Sequence, residues 1–156
     1  MGVGYASDLI VCVALGVDMF DCVYPTRTAR FGNALVPWGK VSLKQAQYIN
    51  DPLPIDPDCD CLTCQKYSRS YLNSIVTKET VACHLVSIHN ISYQLKLMRG
   101  AREAIKAGCF PEYVVGFLDR MYAGIDNTPQ WIIEALASVN IDIFEKRPKK
   151  QKMEHE

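Results

Sequence analysis

Residues 7–25 read SDLIVCVALGVDMFDCVYP, and the fold turns on how that run divides. Ser7 is placed to cap a helix, apolar residues fill Leu9 to Leu15, and Gly16 is placed to end it. The compact apolar run that follows, Val17 to Val23, holds Asp18 and Asp21 and is stopped by Pro25, which predicts a buried strand. A helix followed at once by a strand is the unit of a parallel α/β fold. Asp21 then lies near the C-terminal end of its strand, where α/β barrels place catalytic groups, so it is a candidate catalytic residue. The competing reading is an aspartate satisfied by backbone donors after a strand.

Downstream, residues 31–58 alternate apolar and polar positions around Pro37, Trp38, Gly39 and Lys40. They break at Asp51-Pro52 and Pro54, which predicts a small hairpin and an irregular loop, an insertion in the α/β pattern. Next come three cysteines spaced as Cys59-x-Cys61-x-x-Cys64, and His89 follows on a helix-compatible segment. A tight turn brings three thiolates around one ion, and a fourth ligand from a distant helix closes a tetrahedron; zinc is the natural occupant, in a structural role. The alternative is a set of free buried cysteines, against which Asp58 and Asp60 alternate with the thiols. From Cys64 the pattern turns helical, with Tyr67, Tyr71 and Ile75 on one face and Cys64 near the helix N-terminus, where a thiolate is favoured. A longer helix is expected from Val81 to Lys106, burying Leu85, Ile88, Ile91, Leu95, Met98 and Ile105 on one face and stopping at Gly108. Residues 111–122 and 129–139 predict two more helices, each opened by a proline. The ending EKRPKKQKMEHE reads as a disordered charged tail.

The chain has 156 residues, 49% of them hydrophobic, which suits one soluble domain or a piece of a larger one. Seventeen basic and seventeen acidic side chains cancel, so nucleic-acid contact must come from local patches and not from a global field. The seven cysteines are an odd number, no signal peptide precedes them, and Cys12 and Cys83 sit in apolar surroundings, all of which points to a reducing, cytoplasmic location. No uninterrupted apolar run approaches the length of a membrane-spanning helix.

The segment from Asp18 to Gly32, DMFDCVYPTRTARFG, closely resembles the active-site signature of tRNA-guanine transglycosylases of the queuine type. The resemblance implies that this chain is the C-terminal part of a TIM (β/α)8 barrel with an inserted zinc-binding subdomain and C-terminal helices. It implies that Asp21 is the nucleophile, attacking the anomeric carbon of the wobble nucleotide, expelling guanine and leaving a covalent tRNA intermediate that the incoming base displaces. The logic parallels retaining glycosidases. Thr26, Arg27, Thr28, Ala29 and Arg30 become the element that recognises the wobble region, guanidinium groups being suited to phosphates and unpaired bases. The ordinary alternative for such arginines is solvation or pairing with acids such as Asp18 and Asp21. The opening Gly2, Val3, Gly4, Tyr5, Ala6, Ser7 and Asp8 resembles the family's segment before the last barrel helix and is assigned to RNA contact. Cys59, Cys61, Cys64 and His89 match the family's zinc ligands. His84 lies five residues earlier on a different helical azimuth and outside the family pattern.

The similarity runs from Gly2 to about residue 140 but corresponds only to the C-terminal portion of a longer enzyme. The base pocket and its proton-accepting aspartate belong to earlier strands, so the chain is expected to be a fragment, inactive alone. TRTARFG resembles the eukaryotic form, where bacterial members read TRSGRNG; this implies queuine as the base and a heterodimer with a non-catalytic paralogue. The family also suggests association with mitochondria, which no targeting segment here encodes. The expected divisions are 1–30 for the last barrel helix, strand and RNA element, 31–110 for the zinc subdomain and long helix, 111–144 for C-terminal helices, and 145–156 for the tail. Two other classes compete: a zinc-stabilised RNA- or protein-binding module without chemistry, and an unrelated zinc finger. Against the finger, 24 residues separate Cys64 from His89, where classical fingers use about a dozen between paired ligands.

Overall fold

The computed structural model describes residues 1–145; the charged tail expected from 145 onward lies almost wholly outside the described residues. Seven helices and one two-stranded hairpin follow in the order α1 (Ala6–Ala14), α2 (Tyr24–Arg30), β1 (Asn33–Val36), β2 (Gly39–Ser42), α3 (Leu62–Lys66), α4 (Arg69–Ile75), α5 (Thr80–Lys106), α6 (Phe110–Met121) and α7 (Gln130–Ala137). Single 3-10 turns at Ala46–Tyr48 and Ile125–Asn127 complete the described elements.

Helix α1 ends where its glycine predicts. Gly16 takes φ 95°, and the Gly16 and Val17 amides donate back to the Val13 and Cys12 carbonyls, the pattern of a left-handed helix cap. Its start differs from the expectation. The N-cap is Tyr5, with no side-chain cap, and Ser7 lies inside the first turn with its hydroxyl turned to Asp8 Oδ1 at 3.4 Å.

Val17 to Val23 is not a strand. The segment carries neither helix nor ladder, and Val17, Met19 and Val23 are 41%, 85% and 55% exposed. A strand is defined by its neighbours, and among the described residues the one backbone bond made to the segment from outside the adjoining helices runs from the Gly2 amide to the Asp21 carbonyl, at 2.6 Å. An apolar strand sequence with almost nothing to pair with remains irregular and largely exposed.

The hairpin forms as expected, β1 and β2 pairing antiparallel in the register Asn33↔Ser42 to Val36↔Gly39 across a Pro37-Trp38 turn. The helix expected from Cys64 through Ile75 is split. Tyr67, at φ −131°, ends α3, and Ser68 caps α4 by accepting from the Tyr71 amide. Tyr67 and Tyr71 nonetheless stack, their ring centroids 5.1 Å apart.

Helix α5 joins two hydrophobic clusters. Its first half sends Ala82, Leu85 and Val86 among Ala34, Val36, Leu43, Ile55, Leu72 and Ile75, around the cysteines. Its second half sends Leu97 and Ala101 among residues of α1, α6 and α7. The face expected to be buried is largely the wrong one. Leu85 is buried, but Ile88, Ile91, Leu95 and Ile105 are 43%, 41%, 61% and 53% exposed. The helix has apolar positions on two azimuths, and the described residues cover only the one carrying Ala82, Val86, His89, Asn90, Leu97 and Ala101. Leu95, Met98 and Ile105 instead line an open groove of about 540 Å³ with Val13 and Val17, next to the unpaired segment.

Candidate metal centre and the Asp21 segment

Cys61 is the N-cap of α3, its thiol accepting from the Cys64 amide, so a single helical turn presents Cys61 and Cys64 to one point while Cys59 approaches from the preceding loop. His89 arrives from the buried face of α5 and is fully buried. Its Nδ1 lies 3.7, 3.6 and 3.3 Å from the Sγ atoms of Cys59, Cys61 and Cys64, and all four donor atoms fall within 4.8 Å of one another. Tetrahedral zinc, with Zn–S and Zn–N bonds of about 2.3 and 2.0–2.1 Å, separates sulfur from nitrogen by about 3.6 Å. The three cysteines and the histidine are thus positioned to bind one metal ion, and the donor set fits structural zinc.

The second nitrogen decides the tautomer. His89 Nε2 lies 2.8 Å from the Leu35 carbonyl, which can only accept, so the proton sits on Nε2 and the Nδ1 lone pair faces the thiols. Burial lowers the His89 pKa, keeping the ring neutral as a ligand must be. Burial also pushes the Cys59 and Cys64 thiols up, because thiolates in this setting repel one another and lack solvent. A dication reverses that preference, so metal binding here expels protons. Thr63 adds a further tie, its hydroxyl donating to the Leu85 carbonyl at 2.7 Å and joining α3 to α5. His84 is exposed and outside the cluster.

The structure brings the opening segment against the one that bears Asp21. Tyr5 and Tyr24 rings lie 4.5 Å apart, and Gly4 is buried against Cys22 and Tyr24. Burial first and the neighbouring Tyr5 second raise the Tyr24 pKa. Asp21 is exposed. Val3, Ala6, Ser7 and Asp8 are half-buried, while Gly2 and Tyr5 are exposed.

Thr26 to Arg30 lie on α2, a helix that sequence reasoning did not anticipate: Pro25 occupies its first turn, where a missing amide is harmless. One face of α2 packs on α5, so Thr28 and Ala29 point inward, at 8% and 0% exposure. Thr26 donates to the Val23 carbonyl at 3.2 Å. Arg27 and Arg30 are exposed, and among the described residues neither pairs with Asp18, Asp21 or another acid.

Sequence reasoning missed two polar residues on the buried face of α5, Asn90 and Gln94. Asn90 is fully buried, next to His89 on the broad buried side of α5. An amide in phase with Ala82 and Val86 was a legible signal at Asn90, since a buried amide must have partners.

The geometry defines a class: a protein whose metal-pinned lobe is tied by one long helix to an exposed acidic segment. The comparisons name the family. The queuine tRNA-ribosyltransferase family model matches residues 1–123, and the chain belongs to that family. It is 50% identical over 152 residues to the queuine tRNA-ribosyltransferase catalytic subunit of Schizosaccharomyces pombe, covering 92% of this chain and 38% of that protein. It is 49% identical over 150 residues to the corresponding subunit of Caenorhabditis elegans, covering 87% and 38%. Against the queuine tRNA-ribosyltransferase of Thermus thermophilus it is 44% identical over 139 residues, covering 88% and 36%. The chain therefore spans little more than a third of the length of these relatives. Among the described residues no helix is long and apolar enough to cross a membrane.

Proposed function

We propose that this chain carries the nucleophile and RNA-recognition part of an enzyme that exchanges guanine for queuine at the wobble position of tRNA anticodons. The observation that carries the reading is Asp21 itself: an exposed carboxylate inside the signature DMFDCVYPTRTARFG, followed on α2 by two exposed arginines that pair with no acid among the described residues. Ionised Asp21 attacks C1′ of the wobble nucleotide as the glycosidic bond to guanine breaks, giving a covalent ester-like adduct; the incoming base then forms the new bond and releases the carboxylate. Arg27 and Arg30 are placed to hold backbone phosphates of the splayed loop, with Thr26 beside them. Thr28 and Ala29 serve as the packing face that orients the arginines. Gly2 to Asp8 support the same RNA surface from the adjoining segment.

Zinc takes no chemical step in this reading, because four protein ligands leave no open position. The activity needs more than this chain. The unpaired Val17–Val23 segment and the adjoining apolar stripe of Ile88, Ile91, Leu95 and Ile105 are the surfaces that the remaining barrel would cover, and the base pocket would come from it. A non-catalytic paralogue is the proposed partner subunit, and the cytoplasm, with peripheral association with mitochondria, the proposed location.

The test is a denaturing gel of labelled tRNA incubated with a longer form that supplies the preceding segment, with and without Asp21→Asn. An adduct that survives denaturation and vanishes in the variant supports the reading. Absence of any adduct would favour a zinc-stabilised binding module without chemistry.

A further inference from the structure

Asp21 sits in a segment that no strand ladder holds, yet a nucleophile displaced by about 1 Å can lose a hundredfold in rate. What holds this one comes from α5. Asn90, one residue beyond the metal ligand His89, accepts the Leu35 amide on Oδ1 at 2.8 Å and donates from Nδ2 to the Pro25 and Asn33 carbonyls, both at 3.0 Å. Four residues on, and so on the same helix face, Gln94 donates from Nε2 to the Gly4 carbonyl at 2.6 Å, with its Oε1 4.0 Å from the Cys22 thiol. Gly4 in turn permits a close approach: a β-carbon there would come within 2.5 Å of Tyr24 Cβ and 2.9 Å of Cys22 Sγ. The Gly2 amide completes the arrangement by donating to the Asp21 carbonyl.

Asp21 is thus bracketed. Gly4, against which Cys22 packs, is held by Gln94, and Pro25 is held by Asn90. Leu35 links this clamp to the metal centre, since its carbonyl accepts a hydrogen bond from His89 Nε2–H while its amide donates to Asn90. We propose that Asn90 and Gln94 are positioning residues that fix the Asp21 segment to the metal-bearing helix. The proposal rests on the reading of Asp21 as nucleophile, but the clamp has a readout that needs no activity.

That readout is peptide-resolved hydrogen exchange on the zinc-loaded chain, comparing the native sequence with Gln94→Met and Gln94→Glu. Both variants keep the length of the side chain. Methionine removes both polar contacts, and glutamate keeps an oxygen beside Cys22 but cannot donate to Gly4. Losing one such bond should speed exchange in residues 1–5 and 20–26 about tenfold, with zinc content and protection of α4 unchanged. Asn90→Ala removes three hydrogen bonds to backbone groups and is the harsher variant; should it fail to fold, the Gln94 pair decides. In a preparation competent for base exchange, Gln94→Met should lower kcat per adduct-forming site about ten- to a hundredfold while KM for tRNA stays within about twofold. A merely structural role would reduce the number of adduct-forming sites and leave kcat per site intact. Unchanged protection of residues 1–5 and 20–26 overturns the clamp, and normal kcat per site despite loosened peptides overturns positioning. If the native sequence forms no adduct in any preparation, the nucleophile reading is what fails, and hydrogen exchange alone judges the clamp.

Discussion

Replacing His89 with alanine probes the metal centre most sharply, because the ring has two jobs. It supplies one of four ligands, and its Nε2–H satisfies the Leu35 carbonyl at 2.8 Å from a fully buried position. Orphaning a buried acceptor costs about 1–3 kcal/mol, and truncating a buried ring to alanine costs about 3–5 kcal/mol. The two overlap, since water entering the cavity can reach the carbonyl, so the metal-independent loss is on the order of 3–5 kcal/mol. For the metal, four-ligand zinc sites bind with roughly 10–16 kcal/mol. A quarter of that, about 3 kcal/mol, is more than a hundredfold in affinity. Competition against a chromophoric chelator gives the affinity, and urea melts with and without zinc give the stability. His84→Ala is the matched control; that side chain is exposed, and its removal should change stability by less than about 0.5 kcal/mol. Native zinc affinity in the His89 variant, or loss of metal in the His84 variant, would refute the assignment.

Asp21→Asn should abolish adduct formation and base exchange while leaving zinc content and tRNA affinity largely intact; retained exchange would remove Asp21 as nucleophile. If Arg27 and Arg30 each neutralise one phosphate of a single-stranded loop, replacing either with alanine should reduce the slope of log affinity against log salt by about 0.7, and an unchanged slope would place them elsewhere. Zinc affinity should fall as pH is lowered. The Cys59 and Cys64 thiols are held above their ordinary pKa by burial, so the metal must displace their protons at neutral pH. A drop of at least about tenfold per pH unit is expected in chelator competition between roughly pH 8 and 6, and a flat profile would contradict it. The stripe on α5 should make the isolated chain self-associate as concentration rises, and Leu95→Glu should weaken that association in sedimentation; identical behaviour of the two chains would show that the stripe is not sticky.

What could be read from sequence was what is determined locally. Gly16 ended α1 and Gly108 followed α5, because a left-handed cap is set by one residue and its immediate neighbours. The hairpin was marked by its turn, and the metal ligands by a spacing that one helical turn enforces. What failed depends on the rest of the molecule. Val17 to Val23 has the composition of a buried strand, but whether it becomes one depends on partners, and among the described residues outside the adjoining helices only Gly2 supplies a backbone bond. Periodicity on α5 found an apolar face correctly and then assigned burial to it, although the face actually covered is rich in alanine and carries His89 and Asn90. Helix α2 escaped notice because proline reads as a breaker until its position in the first turn is known. The phase of Asn90 marks it as buried, but what Asn90 and Gln94 hold was not legible: their backbone partners lie 55 to 90 residues away in sequence, and no local pattern names those partners.

The segment bearing Asp21, held by the metal lobe, is proposed to perform base exchange on tRNA as part of a longer protein. The direct measurement is incorporation of labelled guanine or queuine into tRNA by this chain alone, by this chain with the paralogous subunit, and by the longer form, with zinc quantified in each sample. Incorporation is expected only where the preceding segment is present and zinc is bound. Base exchange by the isolated chain would contradict it, as would a longer, zinc-loaded form that incorporates no base.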